Sequence, residues 1–123
     1  MNRHVIVSPS GNLVDHKDMF IKFFGIDEDI INGVSISMEL VIIPPNASDN
    51  IPPHRHTNCD TAIFIFDGEG ITLYGELLEF SSSFKKGDFI YIPKDLRHQP
   101  KNTGNIDIVS IIARNTGKEK TSE

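Results

Sequence analysis

Short runs of β-branched and aromatic residues, separated by glycine, proline, asparagine and aspartate, limit most strongly how this chain can fold. They recur at about 8–12 residues, a spacing typical of β-sandwiches and β-barrels. The runs cover residues 19–25, 34–43, 61–66, 88–93 and 106–113, and another at 70–80 divides into two strands around Gly75. No segment keeps a long helical period of apolar residues, and residues 27–33 form one helical turn or a polar loop. The sequence therefore predicts an all-β protein.

Two of these runs, IFIF at 63–66 and FIYI at 89–92, are apolar at every residue. Neighbouring residues of a strand face opposite sides of a sheet, so both faces of these strands are apolar. A second sheet or a partner subunit would cover the outer face, and in a chain of 123 residues the second option predicts a homodimer. Alternatively, aromatic side chains such as Phe64 cover neighbouring loops of the same chain.

Chain length, charge and cysteine content narrow the classes of protein and partner. The 123 residues fit one domain, and the formal net charge of −5 argues against a nucleic-acid partner. Cys59 is the only cysteine, which forbids an intramolecular disulfide and fits a reducing compartment. No apolar run approaches the roughly 20 residues of a membrane helix, and the N-terminal segment does not resemble a secretory signal. We expect a cytoplasmic protein with no membrane partner.

Two histidines, His54 and His56, stand two positions apart directly after a Pro-Pro pair. The prolines favour extended backbone, and alternate residues of a strand point to the same side. The two imidazoles then face one way and form half of a metal site, since neutral imidazole binds zinc, copper, iron and nickel. The alternative is a polar loop. His98, after a Pro-Lys-Asp turn, is either a third ligand from another strand or a surface residue.

Both segments resemble the two motifs of the cupin superfamily. The second motif, G-x5-P-x-G-x2-H-x3-N, is matched by Gly87, Pro93, Asp95, His98 and Asn102, with aspartate in place of the internal glycine. The first motif, G-x5-H-x-H-x(3,4)-E-x6-G, keeps His54, His56 and Gly68, and Ser48 stands at its leading glycine. The gap of 18 residues between the motifs suits a compact, single-domain cupin.

The resemblance implies a fold and a cofactor. The fold is an antiparallel double-stranded β-helix, or jelly-roll barrel, whose two motifs line one end. The cofactor is a divalent metal ion (zinc, nickel, iron or manganese), and the ligands carried over are His54, His56 and His98.

The glutamate ligand of the family has no counterpart in this chain. Counting back from Gly68 puts Thr61 at that position, and Asp60 is one residue earlier. In one version of the site, a bulge re-aims Asp60 and its carboxylate joins the histidines. In the other, the three histidines bind the ion alone and Thr61 contributes a nearby hydroxyl. Asp60 is also a candidate for a general base if it does not bind the metal, and His98 is one only if no metal is bound.

We expect the chain to divide into three regions. Residues 1–32 form N-terminal strands or an arm of the barrel, 33–115 the barrel core with both motifs, and 116–123 a flexible polar tail. His4 and His16 are interpreted as structural or surface residues, and Cys59 as a small half-buried residue rather than a ligand. Further candidates for pocket residues are Arg55, Tyr74, Tyr91 and Gln99.

Three neutral imidazoles leave a bound dication with its full charge and with open positions. Such a site favours a small anionic or oxygen-rich metabolite. One function is a metal-dependent isomerase, lyase or decarboxylase, or dioxygenase. The other is a non-enzymatic module that binds a metabolite or a metal, which the missing glutamate favours. A barrel fold does not choose between them.

Overall fold

The computed structural model describes residues 4–8, 11–16, 19–47 and 50–123 of the chain. Within these residues the regular structure is entirely β. The strands are β1 (Leu13–His16), β2 (Phe20–Ile26), β3 (Ser37–Ile43), β4 (Arg55–His56), β5 (Thr61–Asp67), β6 (Glu69–Tyr74), β7 (Phe80–Lys85), β8 (Phe89–Ile92), β9 (His98–Asn102), β10 (Ile108–Arg114) and β11 (Thr121–Ser122). Each run found in the sequence contains a strand, and residues 27–33 form turns in which Asp27 Oδ1 accepts hydrogen bonds from two backbone amides.

The strands form antiparallel sheets. One sheet has the order β1-β2-β3-β10-β5-β8, a second has β7-β6-β9, and β11 pairs with β4. Strands distant in sequence therefore lie side by side, as β3 and β10 do in the centre of the larger sheet. The predicted all-β, antiparallel jelly-roll fold is confirmed. No helix in the described ranges has the length and apolar character needed to cross a bilayer.

Strand alternation gives the larger sheet one inner and one outer face. On the inner face, Ile63 of β5 stands between Ile90 of β8 and Ile112 of β10. One step further along β5, Ile65 is 2% exposed, and with Ile108 it is the most deeply buried large side chain. Burial of such branched apolar side chains stabilises the barrel by about 1.5–3 kcal/mol each.

No described residue covers the outer face of the same strands. Phe66, Phe89 and Tyr91 are 60%, 83% and 65% exposed. The strands that are apolar on both sides are therefore buried on the inner side alone in the single chain. The homodimer inferred from them stays a prediction.

The C-terminal residues differ from the flexible tail expected over 116–123. Thr121 pairs with His56 and Ser122 with Arg55, so β11 lies along β4. The Asn58 side chain reinforces this contact, donating to the Lys118 carbonyl and accepting from the Lys120 amide. The segment is polar because its partners are backbone groups and charged side chains rather than an apolar core.

Candidate metal centre

Three histidines from two distant segments meet at one end of the barrel. His54 and His98 face each other in an antiparallel bridge, in which each amide donates to the carbonyl of the other at 3.0 and 2.9 Å. His56 follows on the same side of the extended segment, as the spacing predicts. The ring centroids lie 4.5–5.2 Å apart, and one nitrogen of each ring lies within 4.8 Å of the others. The structure thus brings together all three predicted ligands.

Each imidazole has an oxygen beside its Nδ1 atom. Nδ1 of His54 lies 3.0 Å from the Pro52 carbonyl oxygen, and Nδ1 of His98 lies 2.8 Å from that of Leu96. Nδ1 of His56 lies 2.7 Å from Oε2 of Glu119, although neither atom has a well-aligned hydrogen bond among the described residues. An acceptor beside Nδ1 favours the proton on that nitrogen, which leaves Nε2 of each ring available to bind an ion.

Burial favours the neutral, metal-binding form of two of these rings. Burial, with smaller contributions from the neighbouring His54 and His56, lowers the pKa of His98 to about 4 against the opposing effect of the Leu96 carbonyl. Burial likewise lowers the pKa of His54, despite the hydrogen bond to Pro52. His54 and His98 are therefore uncharged at neutral pH, as metal ligation requires.

Thr61, rather than Asp60, faces the histidine end of the cavity. Thr61 is 2% exposed and lines the cavity, and its Oγ1 atom has no hydrogen-bond partner among the described residues. The Asp60 carboxylate instead accepts hydrogen bonds from the Lys94 amide at 2.9 Å and the Tyr91 hydroxyl at 3.3 Å. This geometry corrects the alternative in which Asp60 serves as a fourth ligand or a general base. Asp60 directly precedes β5, and its contacts with Lys94 and Tyr91 hold its carboxylate away from the histidines.

Residues of the second motif hold the histidines in place. Asp95, at the glycine position of the motif, has a φ of 68°, a left-handed conformation that aspartate tolerates in turns. Its amide donates to the His56 carbonyl at 2.9 Å, which ties the turn before His98 to the other motif. The buried Asn102 amide donates to the carbonyls of Ile43 and Ile106. Ser48 lies outside the described residues.

A network of alternating charges, which the sequence reasoning missed, lies beside the histidines. Arg114 Nη1 is 2.6 Å from Glu39 Oε1, and Arg114 Nε is 3.1 Å from Glu119 Oε2. Lys22 Nζ lies between the same two carboxylates, 3.4 Å from Glu39 and 3.5 Å from Glu119. The side chains of Glu39 and Arg114 are both 7% exposed. Because two cations face two anions, the formal charge of this network is zero.

Glu119 joins this network to the three histidines through His56. Burial raises the pKa of its carboxyl, but contacts with His56, Arg114 and Lys22 outweigh that effect and bring the pKa to about 2. Glu119 is therefore ionised throughout the physiological range. The sequence contained one signal for this placement: Glu119 and Thr121 are two residues apart, so they lie on one face of an extended segment. Both residues line the cavity.

The cavity behind the histidines has a volume of about 430 Å³ and a mostly apolar wall. Its apolar residues include Ile63, Ile90 and Ile112. His16, expected to be structural or surface, lies on the wall, and its ring packs at a tilt against Phe20 with centroids 4.4 Å apart. The lining does not include the other pocket residues suggested by the sequence, Arg55, Tyr74, Tyr91 and Gln99. Cys59 is buried, and burial raises the pKa of its thiol.

Comparison with protein families gives a match to the Cupin domain over residues 39–112. An uncharacterised protein of Methanocaldococcus jannaschii is 33% identical over 81 residues, which are 65% of this chain and 60% of that protein. A germin-like protein of Arabidopsis thaliana, subfamily 2 member 1, is 30% identical over 90 residues, which are 70% of this chain and 39% of that protein. The chain thus spans less than two thirds of the length of either relative.

Solved structures share the fold at low sequence identity. Oxalate oxidase in complex with the substrate analogue glycolate superposes with a TM-score of 0.76 at 19% identity, over 94% of this chain and 61% of that chain. Oxalate decarboxylase of Bacillus subtilis, studied for its Mn(II) centres, gives 0.76 at 14% identity, over 91% and 29%. An uncharacterised Klebsiella pneumoniae protein with a double-stranded β-helix domain gives 0.75 at 14% identity, over 98% and 96%.

Proposed function

This chain belongs to the cupin family, and from that premise we propose that it binds a divalent metal ion through His54, His56 and His98. The metal would in turn hold a small anionic or oxygen-rich metabolite inside the barrel. Manganese, zinc, nickel and iron all accept imidazole ligands at such a centre.

The observation that carries this proposal is the set of three clustered imidazoles with an oxygen beside each Nδ1. A nitrogen–metal bond is about 2.0–2.1 Å long, so nitrogens within 4.8 Å of one another can share one ion after a small movement of the rings. Fixing the tautomer and orientation through Nδ1 is the arrangement that metal-binding histidines commonly have. The residues present therefore fit a divalent ion.

The protein residues would have distinct roles around the ion. The ion itself, when bound, supplies a positive centre that holds and polarises an oxygen of the ligand. The three histidines contribute no negative charge, so they leave this positive centre undiminished for an anion. Thr61 can donate a hydrogen bond to an oxygen of the ligand. The apolar wall excludes water and strengthens both interactions.

A non-enzymatic binding module is the second function, and one observation favours it. The carboxylates among the described residues of the cavity wall, Glu39 and Glu119, are both held by Arg114 and Lys22. A general base needs to reach the proton that it removes, and neither carboxylate is free to do so. The geometry therefore supports binding more strongly than a reaction that needs a side-chain base.

Metal content is the test of the proposed function. Protein purified without chelators is analysed for metals, alongside His98→Ala and the control His4→Ala, whose histidine is exposed and distant in sequence from both motifs. We expect about one divalent ion per chain in the wild type and in the control, and a loss of most of it in His98→Ala. Equal metal content in all three proteins, or none after reconstitution with Mn(II) or Zn(II), would contradict the proposal.

The homodimer and the cytoplasmic location stay predictions. The exposed aromatic face of β5 and β8 supports a second copy as the partner, because Phe66, Phe89 and Tyr91 form a patch on one side of the sheet. Light scattering decides the state, since one chain has a mass of 13.8 kDa. A measured mass near that value would remove the dimer.

A further inference from the structure

The chemistry of the cavity wall narrows the class of ligand. We propose that the cavity takes a monoanionic acid with an apolar body, such as a branched aliphatic 2-oxo acid. The oxygen-rich head lies at the histidines and the body lies against the isoleucines. The placement of the head rests on the proposed metal centre, whereas the selection of the body rests on the wall alone.

The apolar wall is built into the register of the sheet. The inner row Ile90–Ile63–Ile112 crosses three neighbouring strands, and Ile65 lies on the same face of β5. These side chains line the cavity together with Ile92 of β8. A cavity of about 430 Å³ is large compared with a two-carbon acid such as glycolate. A small acid would leave most of this apolar surface without a partner, whereas a branched body would cover it.

The charges of the wall offer no place for a second carboxylate. Among the described lining residues, the Lys22 and Arg114 side chains are each in contact with both Glu39 and Glu119. A diacid whose second carboxylate reaches this wall would have to displace one of these carboxylates from its cation, or bury a charge without a partner. Both are unfavourable beside a mostly apolar wall. The wall therefore selects against diacids.

Thr61 provides a polar contact for the head. Its hydroxyl is buried on the cavity wall without a hydrogen-bond partner among the residues described, and a buried polar group is rarely left in that state. Its inner-face neighbours across the sheet are Ile92 and Arg114, so it lies where the isoleucine wall meets the charge network. A ligand oxygen bound at this point would accept a hydrogen bond from this hydroxyl.

The test compares three acids that share one head. Pyruvate has almost no body, 4-methyl-2-oxopentanoate has a branched apolar body, and 2-oxoglutarate has a charged one. Calorimetric titration of Mn(II)-loaded protein should give the branched acid at least about tenfold tighter binding than either of the others. Equal affinities, a preference for 2-oxoglutarate, or no measurable binding of any of the three acids would overturn the inference.

Two variants separate the head from the body. Thr61→Val should weaken the binding of pyruvate and of the branched acid by a similar factor of about ten, because it removes a contact to the shared head. Ile63→Thr should weaken only the branched acid, whereas the control Ile106→Thr, at an exposed position outside the wall, should change neither. Losses in Ile63→Thr that are equal for both acids would contradict the placement of the body.

Failure of the metal centre and failure of this inference give different results. A protein that takes up neither Mn(II) nor Zn(II) contradicts the proposed function. The same three acids are then titrated into the metal-free protein. A preference for the branched acid there supports the inference, because the wall and not the ion sets it, and the loss of that preference overturns it.

Discussion

Arg114→Met should be among the most destabilising single substitutions in this protein. The change removes the guanidinium that lies 2.6 Å from Glu39, and both side chains are 7% exposed. Breaking a buried ion pair from one side costs about 3–5 kcal/mol, because the remaining charge stays buried. Lys22 still lies 3.4 Å from Glu39, so we expect the lower end of that range, about 3 kcal/mol. At roughly 4 °C per kcal/mol for a chain of this size, the melting temperature falls by about 12 °C.

The double variant Glu39→Leu/Arg114→Met tests the reasoning. It removes both members of the pair and leaves Lys22 beside Glu119, where the two atoms lie 3.5 Å apart. An apolar replacement of a buried pair is often neutral, so its stability should return to within about 1 kcal/mol of the wild type. The single variant Glu39→Leu completes the cycle.

The assay is urea unfolding of the metal-free protein at pH 7, followed by circular dichroism. Arg55→Met is the matched control. Arg55 also pairs with a glutamate, Glu76, at 2.8 Å, but that partner is 72% exposed, so its loss should affect stability far less. A loss in Arg114→Met no larger than that of the control, or a double variant as unstable as the single one, would refute the buried-pair argument.

Three further predictions concern the tail and the sheet packing. Glu119→Gln should weaken Mn(II) binding by about 10–100-fold in calorimetry, because it removes the carboxylate beside the imidazole of His56. Equal affinity in Glu119→Gln and in the control Glu123→Gln would contradict this role. Because the pKa of Glu119 is about 2 in the folded protein and 4.5 ordinarily, its ionised form stabilises the metal-free fold above pH 4.5. That contribution, up to about 3 kcal/mol, is lost as the pH falls towards 2, so the wild type and Glu119→Gln should converge in urea unfolding over that interval. Gly70→Ala should lower the free energy of unfolding by more than about 2 kcal/mol in the same assay, because a Cβ there would overlap the Lys101 carbonyl oxygen and the Phe84 ring. The control Gly11→Ala should be nearly neutral, since a Cβ at Gly11 meets no atom within 4 Å.

Local patterns in the sequence were enough for the strands and for the three histidines. A run such as IFIF at 63–66 favours a strand because branched and aromatic residues suit a pleated, half-buried surface. His54 and His56 share a face because alternation in a strand is a local property, and the spacing of the two motifs brought in His98. Each of these inferences depends only on residues close together in the chain or on a spacing that the family keeps.

Tertiary structure decided which face of each strand is the inner one and which distant residues meet there. Strand alternation predicted that Asp60 and Thr61 point to opposite sides. Only the pairing of β5 with β8 and β10 showed that Thr61 points inward. Glu119 reaches the metal centre because β11 pairs with β4, a contact between segments far apart in the chain. Because the tail is polar, no apolar pattern in its sequence predicts its pairing with β4. The sequence by itself thus determined the strands and the three clustered histidines, whereas long-range pairing decided the cavity wall, because register across a barrel is fixed by all of its strands together.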